Sequence, residues 1–135
     1  MSGRFDQIIE TLLSNSKIVV SKRQYETPED APEPQKWIIE KYSDGTCICR
    51  GVVRLLNTTY KKNKTQIFTI KYPVAVYSQP PIINITVESN NVYIVNVVRD
   101  ENKKDKFNIF IKLIEGVSEE VQEDVKIHIS TIGNF

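Results

Sequence analysis

The chain has one histidine, one tryptophan, two cysteines and five glycines among its 135 residues. Each scarcity removes a class of chemistry. With His128 as the single imidazole, a Ser-His-Asp or Cys-His centre has one position around which to form, and no nucleophile-elbow signature accompanies it. Five scattered glycines leave no glycine-rich phosphate loop. Zinc would have to draw on Cys47, Cys49 and His128, without the paired Cys-x-x-Cys or His-x-x-x-His clusters of familiar sites. A glycosidase needs two opposed carboxylates, and none can be singled out as such a pair. The sequence therefore predicts a protein that binds or assembles rather than catalyses, with no cofactor and no metal.

Charge of one sign is also missing. Eighteen basic residues against seventeen acidic ones leave a formal charge of +1, too little to create a long-range field for polyphosphate, so nucleic acid is not an expected partner. No segment approaches the ~20 apolar residues of a membrane span, and membrane insertion is not expected. Met1 to Ser16 lacks the basic start and continuous apolar run of a signal peptide. Cys47 and Cys49, two apart in an extended segment, point to one side and sit too close along the strand to pair comfortably. They read as reduced, partly buried thiols in a chain made in a reducing cytosol.

What is present is the composition of one globular domain, 40% hydrophobic and 26% charged. Phe5, Ile8, Ile9, Leu12 and Leu13 recur at helical spacing and predict a short amphipathic helix. Such a helix is marginal alone, so its apolar face must rest either on its own domain or on symmetry mates and a larger assembly. Ile18 to Ser21 could form a short strand. Three prolines between Thr27 and Pro34 then predict an extended tether. The division is an N-terminal segment, 1–36, for anchoring or oligomerisation, and a binding domain, 37–135.

From Trp37 the pattern turns strand-like, with candidates at Trp37–Tyr42, Thr46–Leu56, Thr65–Tyr72, Ile82–Glu88, Asn91–Arg99, Lys106–Ile114 and Val125–Ile132. About seven strands at this spacing predict an all-β, antiparallel sandwich. Ser43-Asp44-Gly45 is a tight hairpin turn, and Ser89-Asn90-Asn91 and Asp100 to Lys104 read as two more antiparallel connections. Pro80-Pro81 suits the entry to an edge strand. Alternation turns Phe107, Ile109, Ile111 and Leu113 to one side and Phe110 and Ile114 to the other, where their exposure would argue for a subunit interface. Val125, Ile127 and Ile129 alternate with outward Lys126, His128 and Ser130. The acidic stretch Glu119, Glu120, Glu123, Asp124 lacks the pattern of a calcium loop and reads as a solvated loop. For a ligand surface, Tyr93, Asn96, Arg99 and His128 supply an aromatic platform with convergent hydrogen-bonding groups.

Two stretches are more specific. Trp37-Ile38-Ile39-Glu40-Lys41-Tyr42-Ser43-Asp44-Gly45-Thr46-Cys47-Ile48-Cys49-Arg50-Gly51 resembles the tryptophan-led hairpin that opens a family of phage tail-fibre C-terminal domains, themselves similar in fold to H-type lectins. Tyr72 to Pro81 resembles the family's middle strand entry, and Ile129 to Phe135 its closing strand. Arg50 stands where the family often has tryptophan. The resemblance implies a β-sandwich that assembles as a homotrimer on a virion and touches host-surface carbohydrate; the N-terminal 36 residues lie outside it, and their amphipathic helix is expected to join other virion proteins. The alternative is a purely structural decoration or adaptor of the virion.

Overall fold

The computed structural model describes residues 18–28, 33–98 and 103–135. They form eight antiparallel strands: β1 (Val19–Glu26), β2 (Gln35–Tyr42), β3 (Thr46–Lys61), β4 (Thr65–Lys71), β5 (Ile82–Glu88), β6 (Val92–Val97), β7 (Lys106–Glu115) and β8 (Glu120–Asn134). Five make one sheet in the order β1-β2-β3-β8-β5, and three make a second in the order β4-β7-β6. Among the described residues there is no helix. The helix expected on Phe5, Ile8, Ile9, Leu12 and Leu13 lies outside the described residues, as do positions 29–32 of the proline-rich stretch and 99–102 of the loop before β7.

One core joins the two sheets. From the small sheet, Phe107, Ile109, Ile111 and Leu113 of β7 are all fully buried, as their alternation predicts. Facing them are Cys49, Val53 and Leu55 of β3 and Val125, Ile127 and Ile129 of β8. Burial of each such side chain is worth about 1.5–3 kcal/mol relative to exposure, so these three strands together carry most of the hydrophobic drive.

The large sheet is two strands wider than the small one, and the segment between β4 and β5 fills the difference. Tyr72, Val76 and Tyr77 are buried there. Tyr72 contacts Trp37 edge-on at 5.7 Å, Tyr77 at 5.3 Å and Phe107 at 5.7 Å between ring centroids, so one aromatic group ties β2 to β7. The Tyr77 hydroxyl shares a 2.6 Å hydrogen bond with Thr131 Oγ1, which satisfies both groups in the interior. Trp37 lies opposite Gly51 in the β2–β3 register, and any Cβ at Gly51 would come within 2.5 Å of the indole carbons. Glycine is required there for space.

Four expectations change. The short strand at Ile18–Ser21 runs on to Glu26 and pairs along the whole of β2, from Val19↔Tyr42 to Glu26↔Lys36. On either side of the proline-rich stretch, Thr27 N–H donates to the Gln35 carbonyl at 2.9 Å. The strand expected to end at Leu56 continues to Lys61, because a bulge absorbs the turn-like Asn57 at φ +52° and pairing resumes at Thr58↔Glu123. The same resumption brings Glu120 to Asp124, expected in a solvated loop, into β8. Finally, Ser89-Asn90-Asn91 does not close a hairpin: β5 pairs with β8 and β6 with β7, so this turn carries the chain from one sheet to the other. The Ser43-Asp44-Gly45 hairpin forms as expected, with Gly45 at φ +88°, and Pro80-Pro81 leads into β5, an edge strand.

Cys47 and Cys49 are free, fully buried and on one side of β3. Burial, with neighbouring Cys49 second, pushes the Cys47 thiol up to about 12. Neither thiol should react with a thiol-specific disulfide reagent in the native protein at pH 8, and both should react on adding denaturant. Fast labelling of the folded chain would contradict the burial described here.

Candidate binding groove

The outward face of the large sheet forms a grid fixed by strand register. One row runs Glu26, Lys36, Val52, His128, Thr86 across β1, β2, β3, β8 and β5, and the next runs Gln24, Ile38, Arg50, Ser130, Asn84. On the other side of the His128 row, Arg54 faces Lys126, which faces Glu88. Along β2, β3 and β8 these side chains alternate with buried ones, and the edge strands β1 and β5 follow in register, so the whole set turns outward together.

Two adjoining hollows lie over this grid. One, of about 500 Å³, includes Ile38, Arg50, Gly51, Asn84, Thr86, His128 and Ser130 in its lining. The other, of about 460 Å³, lies over Glu26, Lys36, Arg54, Lys126 and His128. Lys36, Val52 and His128 belong to both, so the two form one groove of ligand size. Its floor is apolar at Ile38 and Val52. Its sides offer the amide and hydroxyl groups of Asn84, Thr86 and Ser130 beside Arg50 at one end and Arg54 and Lys126 at the other, with Lys36 between them.

Ion pairs hold the cations in place. Arg50 Nη1 donates to Glu40 Oε1 at 3.2 Å, Lys36 lies 3.4 Å from Glu26, and Arg54 lies 3.8 Å from Asp124. His128 Nε2 is 3.1 Å from Glu88 Oε2, and this contact, with the nearby charge of Lys126 second, holds the Glu88 carboxyl below its ordinary range. All are surface pairs of small individual worth, so they orient the groups more than they stabilise the fold.

The structure does not bring the expected ligand residues together. His128 is exposed in the groove. Tyr93 instead turns inward on β6, edge-on to Tyr60 at 4.9 Å, and its hydroxyl donates to Glu123 Oε2 at 2.8 Å. Asn96 is exposed on the opposite face of β6, on the outside of the small sheet. Arg99 lies outside the described residues. The three ligands considered for zinc are also divided, since Cys47 and Cys49 face the core and His128 faces outward. Among the described residues no cluster of three or more metal-binding side chains occurs. Sequence reasoning passed over Lys36, Arg50, Arg54, Asn84 and Thr86, whose convergence depends on strands distant in sequence. The outward alternation Lys126, His128, Ser130 was the available signal.

Glu123 shows what the acidic stretch does. Its carboxylate accepts hydrogen bonds from Asn90 N–H at 2.9 Å, from the Asn91 side-chain amide and from the Tyr93 hydroxyl. Burial alone would raise this carboxyl, but the bonds from Asn91, Asn90 and Tyr93 together hold it below its ordinary value. It clamps the turn that joins the two sheets.

No protein-family model matches the sequence, and no curated protein does. Among solved structures, the chain is similar to an N-truncated R1-type pyocin tail fibre, at 14% identity over 98% of this chain and 94% of that one, with a TM-score of 0.53. The chain shares its fold with a tail fibre. A longer P. aeruginosa R1 pyocin fibre, comprising its C-terminal residues 323–701, is similar over 85% of this chain at 15% identity and a TM-score of 0.52, and there the match spans 28% of the fibre chain. At these identities the likeness is one of fold, consistent with the sandwich implied by the hairpin from Trp37 to Gly51.

Replacing Glu123 by Gln should lower stability at pH 7 by about 1–2 kcal/mol, the worth of hydrogen bonds to a charged acceptor. A carboxyl held low in the folded state stabilises the protein above its unfolded value and loses that contribution as the pH falls through the folded value. The gap in melting temperature between the natural chain and Glu123→Gln should therefore narrow below about pH 4. A gap independent of pH would contradict the clamp.

Proposed function

We propose that this chain is an appendage module of a phage or phage-like particle, of tail-fibre, baseplate or head-fibre type, and that it works by binding host-surface carbohydrate rather than by catalysis. The observation that carries the reading is the correspondence of fold with the N-truncated pyocin tail fibre over nearly the full length of both chains. The groove on the large sheet supplies the binding surface, with hydroxyl and amide groups beside an apolar floor, as sugars require. The H-type lectin kinship implied by the Trp37–Gly51 hairpin supports the same ligand class.

The working unit is a homotrimer. The outward face of the small sheet carries Ile67 of β4, opposite Phe110 of β7, with Ile94 and Val92 on β6. Ile67 is 60% exposed, Val92 55% and Ile94 47%, an apolar surface that a second copy would cover. The segment with Phe5, Ile8, Ile9, Leu12 and Leu13 anchors the module to other particle proteins. The chain is made in the host cytoplasm and functions on the particle. A purely structural role has one observation in its favour, the exposed Ile18, Val19 and Val20 at the start of edge strand β1, which suit docking onto a particle protein.

Native mass spectrometry of the full chain should give three chain masses, and Ile67→Lys combined with Ile94→Lys should give one. A bacterial-glycan array should capture the natural trimer. A monomer that captures no glycan would sink this reading, and a trimer that captures none would transfer support to the structural role.

A further inference from the structure

The groove is one-sided in charge although the chain as a whole is nearly neutral. Among the described residues, Lys36, Arg50, Arg54 and Lys126 line it, with Glu26 as the single lining carboxylate. Arg54 and Lys126 stand directly opposite each other on β3 and β8. Like charges in direct cross-strand opposition destabilise a sheet, so their placement in its two central strands calls for a purpose other than stability.

The attending carboxylates Glu40, Asp124 and Glu88 lie outside the lining and leave much donor capacity unused. Arg54 meets Asp124 through Nη2 alone, at 3.8 Å, beyond hydrogen-bond length. Its Nε is enclosed and has no acceptor among the described residues. A guanidinium presents a planar fork that matches the oxygens of a carboxylate or phosphate, and since the Arg54 side chain is 39% exposed while its Nε is closed off, ligand oxygens would meet the Nη end of that fork. Beyond His128, the groove adds Asn84, Thr86 and Ser130, uncharged groups suited to hydroxyls, with Arg50 beside Ser130 and tied to Glu40. A simple anion would use only the first end, and a neutral sugar only the second.

Resting on the reading of this face as a carbohydrate site, we propose that its ligand is an anionic saccharide. Its carboxylate or phosphate oxygens sit between Arg54, Lys36 and Lys126, and its neutral hydroxyls reach toward Thr86, Asn84 and Ser130. His128 lies at the junction, and as the only histidine in the chain its ring signals report on this groove alone.

The test titrates the full-length protein with oligogalacturonate and with a phosphorylated mannan, which separate carboxylate from phosphate, and with their neutral parents, the carboxyl-reduced and dephosphorylated forms. A single-stranded oligothymidylate is the further arm. Expected are movement of the His128 ring resonances with at least one anionic saccharide, binding about tenfold tighter than its neutral parent, weakening with added salt, and about a tenfold loss in Arg54→Met with no loss in Lys71→Met. A tenfold change corresponds to about 1.4 kcal/mol. Unchanged melting of Arg54→Met would show that the loss is local. Equal binding of the neutral parents at His128 would overturn the anionic class while leaving the carbohydrate site standing. Saccharide binding that leaves His128 unmoved would overturn the site, and no saccharide binding here or on the array would overturn both. Tighter binding of the oligothymidylate than of any saccharide would replace the proposal with a nucleic-acid surface.

Discussion

The contact on which the molecule depends is the Trp37 indole lying across Gly51. It is the largest fully buried side chain, and it occupies the space that a Cβ at Gly51 would need. The indole N–H donates to Gln35 Oε1 at 2.9 Å, so its one polar atom is satisfied while the ring stays in the core. Tyr72 meets the ring edge-on and passes the contact to Tyr77 and Phe107, which draws the segment between β4 and β5 over the wide sheet and joins it to β7. The one tryptophan thus connects β2, a connecting segment and the opposite sheet.

The same contact sets what faces outward. Side chains alternate along a strand, so a slip of β2 by one residue would turn Trp37 out and Lys36 and Ile38 in. With Trp37 seated on Gly51, Lys36 and Ile38 face outward beside Val52 and Arg50, and the β3–β8 register continues the row to His128 and Ser130. Core and groove are two consequences of one register. At the far end of the sheet, Glu123 plays a comparable part by fixing the turn through which the chain leaves β5 for β6.

The sequence made the strands legible where apolar and polar residues alternate without interruption, as along Phe107 to Ile114 and Val125 to Ile132. It misled where a local signal competed with pairing. Asn57 looks like a turn former, but a bulge accommodates its positive φ and Asp124 accepts its N–H at 3.0 Å, so β3 runs on. Polar β1, with Lys22, Arg23 and Gln24 between Ser21 and Tyr25, shows little alternation because it is an edge strand with most of its side chains exposed. The groove was the least legible part. His128 could be placed facing outward from its own strand, but its neighbours come from β2, β3 and β5, and only the sheet order makes them neighbours. Tyr93 has the aromatic and polar character of a ligand platform, but in the fold that character serves the core and the Glu123 clamp.

Because core and groove share one register, the coupling between Trp37 and Gly51 is the quantity to measure. A double-mutant cycle of Gly51→Ala, Trp37→Leu and both together, followed by denaturant unfolding, isolates it. The account predicts that Gly51→Ala costs about 2–3 kcal/mol beside the natural indole, through overpacking, and well under 1 kcal/mol in the Trp37→Leu background. Additive effects, with Gly51→Ala costing the same in both backgrounds, would show that the indole does not rest on Gly51 and would contradict the account at its base.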